Sequence, residues 1–267
     1  MSLRWLLALT LLTPLPLAAQ TAADVSRAIR ESSFDRDECY RVRDLTLVKE
    51  DIRMYFGEGH LIFSKPVAGR RIAAVFSADV EGGDGEVILL PPDRAERRSL
   101  AGFIDTPNLD EHFRAALLIF TGDDYERLRS QMSESPANKK TPEIGAVMDD
   151  EWTPVLRNLS ASYQTRLTLD LLGGPARRSG LFAALISSTK LGNFDVAFDP
   201  EGSEQILAGR VSSRDNRAYF DVWTSFSARS FRKNPAPRAA ELSMLDYRIE
   251  ATVNPDLSIT AVTRVKI

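Results

Sequence analysis

The sequence predicts an α+β protein of predominantly antiparallel β sheets, with one long packing helix at about 149–172 and short helices elsewhere. From residue 39 onwards, short alternating or apolar runs are separated by turn-forming glycine and proline, which is typical of antiparallel strands. From 149 to 172, apolar residues fall at steps of three and four. Gly173-Gly174-Pro175 follows as a stop, so this segment indicates a helix.

The first residues are typical of an export signal. Arg4 precedes an apolar run from Trp5 to Leu12, and a proline-broken segment then ends in two alanines. We expect a signal peptide at 1–19, cleavage near Ala19, and a mature protein that is periplasmic or secreted. A single membrane anchor is the alternative, but the apolar run is well short of the ~20 residues that a span needs. We therefore expect no membrane span after signal removal.

Composition excludes some functional classes. The 267 residues carry a formal net charge of -3 with no long block of like charge, so a nucleic-acid footprint is absent and we expect no nucleic-acid partner. The lone Cys39 cannot form an intramolecular disulfide, so stability must come from a buried core.

The segment 20–140 is expected to form an N-terminal β-rich sub-domain. A short helix within 20–36 leads into it, because Val25, Ile29 and Phe34 have roughly helical spacing. Five strands are then expected, at 39–48, 51–56, 60–64, 70–77 and 85–90. Turns are expected at Gly57-Glu58-Gly59, at 66–69 and at 82–85.

The next part of the chain is expected to form a second sub-domain, 141–245. A buried strand from Ala115 to Thr121 and a helix from Asp124 to Met132 precede the loop 133–145, which is the candidate boundary. After the long helix, four further strands are expected in GLFAALIS, NFDVAFD, EQILAGRV and RAYFDVWTSF.

Residues 246–267 predict a terminal hairpin. Apolar residues alternate with polar ones on both sides of Asn254-Pro255-Asp256, a turn sequence. Apolar residues continue at alternate positions of the second strand as far as Ile267, so we expect this strand to need partners or to lie at an exposed edge.

Residue types used for metal binding and catalysis occur without the spacing that the chemistry needs. His60 and His112 lack the one-turn spacing of a zinc peptidase site. The acidic segment SADVEGGDGEV offers calcium ligands as an alternative to a solvated hairpin turn. Asp195 with Asp199, or Asp199 with Glu201 and Glu204, offers paired carboxylates, but a turn is the preferred interpretation. We expect no cofactor and assign no catalytic or metal-binding residue.

The aromatic and arginine-rich segment 217–232 offers a possible ligand platform. Tyr219, Trp223 and Arg229 are its candidate binding residues. Core packing of alternating strand residues is the competing interpretation.

Several stretches carry a resemblance to a known family. They are GEGHLIFSKPV, GRRIAAVF, the turn with Pro91, Pro92 and Glu96, FTGDDYERL, FDVAFDPEGSEQI and YRIEATVNPDLSITAVTRVKI. Together they resemble the non-catalytic N-terminal region of exported bacterial aminopeptidase N-like zinc metallopeptidases. The HExxH helix on which the activity of that family depends is missing from this sequence, so no catalytic residue is carried over.

The resemblance implies a non-catalytic accessory or structural region of such a peptidase, truncated or free-standing. Its partner would be a peptidase catalytic domain in cis or in trans, and 246–267 would begin a missing β-domain. The alternative is a self-sufficient exported binding module for a peptide, lipid or glycan. A hydrolase that uses scattered carboxylates is the hypothesis that we rank last.

Overall fold

The computed structural model describes residues 21–79, 84–134, 139–173, 180–234 and 245–266. The expected signal peptide lies outside these ranges, as does Glu81 of the calcium alternative. The chain divides into two compact units, and the boundary in the sequence falls between Arg229 and Ser230.

The chain contains helices and antiparallel strands, which confirms the α+β class. The helices are α1 (Ala22–Arg30), α2 (Arg94–Ile104), α3 (Asp124–Glu134), α4 (Pro142–Ser162), α5 (Gln164–Leu172) and α6 (Arg229–Lys233). The strands are β1 (Phe34–Lys49), β2 (Ile52–Ser64), β3 (Ala73–Ala78), β4 (Gly85–Leu89), β5 (Leu109–Phe120), β6 (Lys139–Lys140), β7 (Phe182–Ser188), β8 (Gly192–Phe198), β9 (Ile206–Arg214), β10 (Arg217–Phe226), β11 (Leu245–Val253) and β12 (Ile259–Lys266). None of the described helices is long and apolar enough to cross a membrane.

The first unit is built on one ten-stranded antiparallel sheet, with strand order β10-β9-β8-β7-β5-β3-β2-β1-β6. Strand β4 pairs with β2 and β5, the same two strands that flank β3. Strands β3 and β4 therefore lie end to end and share the single strand position between β2 and β5, which we call a lane of the sheet. The sequence predicted a hairpin turn between them, but the two strands do not pair with each other. Strands on both sides of residue 140, the expected sub-domain boundary, belong to this sheet.

Strand β2 continues through Gly57-Glu58-Gly59, where the sequence predicted a turn. A Cβ atom at Gly57 would lie 2.2 Å from Oδ2 of Asp84, and one at Gly59 would lie 2.3 Å from the carbonyl oxygen of Ser77. These glycines thus permit close approach of the neighbouring lane rather than a change of direction. The expected strands 51–56 and 60–64 are consequently one strand.

Helices α1, α4 and α5 contribute to the core on one face of the sheet. The buried residues of this core are Val25, Ile29, Phe34, Cys39, Ile62, Val67, Ile72, Ala73, Val75, Leu117, Ile119, Met148, Leu156, Leu167, Leu171 and Leu181. They come from helices and strands far apart in sequence, so the core joins the two expected sub-domains. On the opposite face, the rings of Phe56, Phe76 and Phe113 pack together with centroids 5.1 to 6.1 Å apart.

The expected helix 149–172 is two helices. Helix α4 begins seven residues earlier, at Pro142, because proline is well suited to the first position of a helix. Tyr163 has φ -106° and ψ 9°, and this break separates α4 from α5. The apolar spacing continues across Tyr163, so periodicity alone could not locate the break.

The second unit contains the hairpin of β11 and β12, which confirms the strands expected around Asn254-Pro255-Asp256. The Asn254 N–H donates to the carbonyl oxygen of Ser258 at 2.8 Å. Tyr247, Ile249, Val253 and Ile259 alternate along the hairpin and are exposed.

Candidate functional site

A depression with a polar lining lies between α4 and the sheet and has a volume of about 400 Å³. We call it the α4 cleft. It is lined by Ser77, Ala78, Arg114, Ala115, Glu151, Trp152 and Ser187.

Its floor is a row of short side chains across three neighbouring strands. Ser77 of β3 pairs with Ala115 of β5, which pairs with Ser187 of β7. In the adjacent row, larger residues, Val75, Leu117 and Leu185, pack against the helix layer. Because three small residues cannot fill the space under α4, the cleft stays open where the larger row ends.

The walls bring opposite charges and an aromatic ring over this floor. Trp152 and Glu151 come from α4, and Trp152 also packs partly on the core. The ladder between β5 and β7 is irregular between Phe113 and Ala115, so Arg114 occupies a bulge. A bulge redirects its side chain, which explains how Arg114 reaches the same cleft as Ala115.

Arg114 and Glu151 are both exposed, and neither makes an ion pair with any of the residues that the structure describes. An unpaired guanidinium can bind a carboxylate through two parallel hydrogen bonds, whereas an unpaired carboxylate accepts from an ammonium group. The indole of Trp152 adds an apolar surface. The cleft thus has the groups required to hold a small molecule that carries both charges.

A charged network borders the floor on the β2 side. His60 is the register partner of Ser77, and its Nδ1 lies 2.9 Å from Oδ1 of Asp79. Arg41 contacts both Glu58, at 2.6 Å, and Asp79, at 3.6 Å. These groups satisfy one another, in contrast to Arg114 and Glu151. Across the described ranges, no group of three or more His, Cys, Asp or Glu side chains could hold a metal ion.

The three residues proposed from sequence lie in different environments. Trp223 is 1% exposed and its ring packs 5.4 Å from that of Phe194. Tyr219 is exposed, with the Arg214 guanidinium 5.8 Å from its ring centre. Arg229 begins α6 and its guanidinium lies 3.6 Å from the Asp51 carboxylate. None of the three lines the α4 cleft.

Of the carboxylates considered from sequence, Asp195 has the most unusual environment. Burial raises its pKa to about 6, and its Oδ1 is buried without a hydrogen-bond partner in the described part of the chain. Asp199 instead pairs with Arg166 at 3.3 Å. Burial, with the charges of Asp195 and Asp199, raises the pKa of Tyr163 to about 12.

We expect Asp195→Asn to stabilise the protein at pH 7.5 but not at pH 4. A raised pKa in the folded state means that folding favours the protonated carboxyl, so its stability contribution falls as the pH rises from about 4 to about 6. The ionised carboxylate then costs roughly 2 to 3 kcal/mol, which the neutral amide removes. Urea unfolding at both pH values measures this difference.

Asp199→Asn is the matched control, because Asp199 already has Arg166 as an ion-pair partner. It should not stabilise the protein at either pH. Equal free energies of unfolding for wild type and Asp195→Asn at pH 7.5 would contradict the assigned environment of Asp195.

The residues of the α4 cleft were missed by sequence reasoning. In the sequence, Trp152 is one of the apolar residues at helical spacing in 149–172, and Arg114 stands within a run that is otherwise apolar from Phe113 to Phe120. The only available signal was that single arginine, since the pairing of three strands is not visible in a sequence.

Comparisons with protein-family models, with curated proteins and with solved structures found no match for this chain.

Proposed function

We propose that the chain is an exported, non-catalytic accessory protein whose α4 cleft binds a short peptide by its two charged ends. The observation that carries this proposal is that Arg114 and Glu151, neither of which pairs with a described residue, both line one cleft beside Trp152. Export is supported by the signal-like first 19 residues.

In this arrangement the peptide carboxylate would bind Arg114 and the terminal ammonium would bind Glu151. A side chain would pack on Trp152, and the hydroxyl groups of Ser77 and Ser187 offer hydrogen bonds to the peptide backbone. A volume of about 400 Å³ is within the usual range for small-molecule sites. Among the three ligand classes expected of a binding module, a peptide fits this charge pair best.

A peptide-holding cleft suits the accessory role that the resemblance to aminopeptidase N-like proteins implies. Such a region would hold a substrate or product peptide near a peptidase domain in cis or in trans. The network of His60, Asp79 and Arg41 beside the cleft, whose members contact one another, requires no catalytic role in this proposal.

We expect the purified protein to bind the free dipeptide alanyl-phenylalanine, as measured by calorimetry and by the Trp152 indole resonance. Acetylation of the amino end should weaken binding about tenfold, as should amidation of the carboxyl end, because each removes one charged hydrogen bond. Arg114→Gln should remove the preference for a free carboxyl end, and Glu151→Gln the preference for a free amino end.

Arg98→Gln is the control, since Arg98 is an exposed arginine on α2 that does not line the cleft. It should leave dipeptide binding unchanged. Equal affinities for the free and the doubly blocked dipeptide would refute the proposal, and so would equal losses in Arg114→Gln and Arg98→Gln.

A further inference from the structure

A second surface, distinct from the α4 cleft, lies on strands β8, β9 and β10. Asp195 pairs with Gly209, which pairs with Val222, and the neighbouring pair is Val211 with Phe220. Directly opposed residues of antiparallel strands point to the same face, and so do residues two positions apart. These five residues therefore share one face, which we call the β8–β10 face.

This face is apolar and open. Val211, Phe220 and Val222 are 63%, 40% and 44% exposed. A Cβ atom at Gly209 would lie 2.8 Å from the Phe220 ring, so this ring lies close over the glycine. A glycine inside a strand marks such a close approach, and here it allows the ring to form a flat apolar platform next to Asp195.

Asp195 brings an uncompensated acid to the edge of the platform. None of the described cations lies within ion-pair distance of its carboxylate. Tyr163, at the break between α4 and α5, is close enough for the charges of Asp195 and Asp199 to raise its pKa, and Asp199 directly follows β8. Arg166 of α5 is engaged by Asp170, at 3.2 Å, and by Asp199. Among the residues that the structure describes, the site thus has an anion without a cation.

We propose that the β8–β10 face binds a partner polypeptide that presents a lysine side chain, with its ammonium group on Asp195 and its aliphatic stem on Phe220. Charge complementarity selects this occupant, because a partly buried, unpaired carboxylate gains most from a charged hydrogen-bond donor. The long aliphatic stem of lysine matches an apolar platform that ends at an acid. Exposed Val211 and Val222 supply the apolar contact area around the anchor.

The probe is the blocked tripeptide acetyl-leucyl-lysyl-leucinamide, followed by backbone amide shifts of isotope-labelled full-length protein. We expect shifts at Gly209 and Phe220, and about tenfold weaker binding when norleucine replaces the probe lysine. Asp195→Asn should weaken binding of the lysine probe by the same factor while leaving binding of the norleucine probe unchanged. Lowering the pH from 7.5 to 5 should also weaken binding, because the Asp195 carboxyl then takes up a proton.

Asp199→Asn is the matched control and should leave the affinity unchanged. Equal binding of the lysine and norleucine probes would overturn the proposal. A second arm uses butylammonium chloride: if it binds as tightly as the tripeptide, the face recognises a free amine rather than a polypeptide. Because the blocked probe lacks both charged ends, its failure leaves the peptide proposal for the α4 cleft standing.

Discussion

Asp149→Ala is expected to lower the free energy of unfolding by about 3 kcal/mol. The variant loses a buried carboxylate that accepts hydrogen bonds from a buried backbone N–H, from a guanidinium group and from a hydroxyl group. Asp149 accepts hydrogen bonds from the Phe34 N–H at 3.0 Å, from Arg36 Nε at 2.9 Å and from Thr153 Oγ1 at 2.7 Å. Phe34 is fully buried, so its N–H would lose its partner without access to water. This one side chain fastens α4 to the start of β1.

The pH dependence of this effect follows from the same contacts. Burial acts to raise the pKa of Asp149, but the hydrogen bonds from Thr153, Arg36 and Phe34 outweigh it and the pKa is lowered. A lowered pKa in the folded state gives stability that is present above the unfolded value and is lost as the pH falls. The difference between wild type and variant should therefore shrink below about pH 4.

The control is Asp150→Ala, which removes the charge of the neighbouring carboxylate. Asp150 also binds Arg36, at 2.9 Å, but its side chain is 75% exposed. An exposed pair contributes little, so we expect a change within about 0.5 kcal/mol. Urea unfolding of the three proteins at pH 7 decides the matter: equal losses in both variants would show that Asp149 acts only as an exposed charge.

Gly145→Ala is expected to destabilise the protein by about 2 kcal/mol, because an added methyl group has no space between α4 and β1. Its Cβ would lie 2.4 Å from the Arg36 carbonyl oxygen and 2.8 Å from Cβ of Cys39. Both are backbone or near-backbone atoms, so the helix itself would have to move. Thermal and urea unfolding measure the loss.

Gly102→Ala is the opposite case on another helix. Apart from its chain neighbours and the backbone of its own helix, no described atom lies within 4 Å of the position that its Cβ would take in α2. Alanine should therefore stabilise α2 by up to about 1 kcal/mol through its better helix propensity. If both glycine variants changed stability in the same direction, close packing of α4 would not be the reason for Gly145.

Local patterns in the sequence predicted much of the fold, and tertiary relationships account for what they missed. The strands β9 and β10 and the hairpin of β11 and β12 follow from alternation and turn residues, and the structure has them. The break at Tyr163 could not be predicted, because an apolar residue there continues the helical spacing. Gly57 was interpreted as a turn residue, although its actual role depends on Asp84, 27 positions away.

The α4 cleft depends even more on tertiary relationships that local sequence patterns do not show. Its floor depends on the register that places Ser77, Ala115 and Ser187 side by side. The bulge at Arg114 changes which residues of β5 face each side of the sheet. The sequence does not reveal this change, because alternation cannot be recognised in the continuous apolar run that follows. Asp195 was noted as a possible acid, but its burial and missing partner follow only from the packed structure.

Strands β3 and β4 share one lane, so the length of the segment that connects them does not by itself set the register of either strand. Two residues of β2, Gly57 and Glu58, lie between the pairing of Gly59 with Ala78 in β3 and the pairing of Phe56 with Gly85 in β4. The lane is held at this junction by Asp84, whose carbonyl oxygen and carboxylate accept from the N–H groups of Gly57 and Glu58 at 2.8 Å. Because pairing with β2 sets the register of β3 and of β4 separately, a change in the number of residues between Ala78 and Gly85 need not reverse the inner and outer faces of either strand.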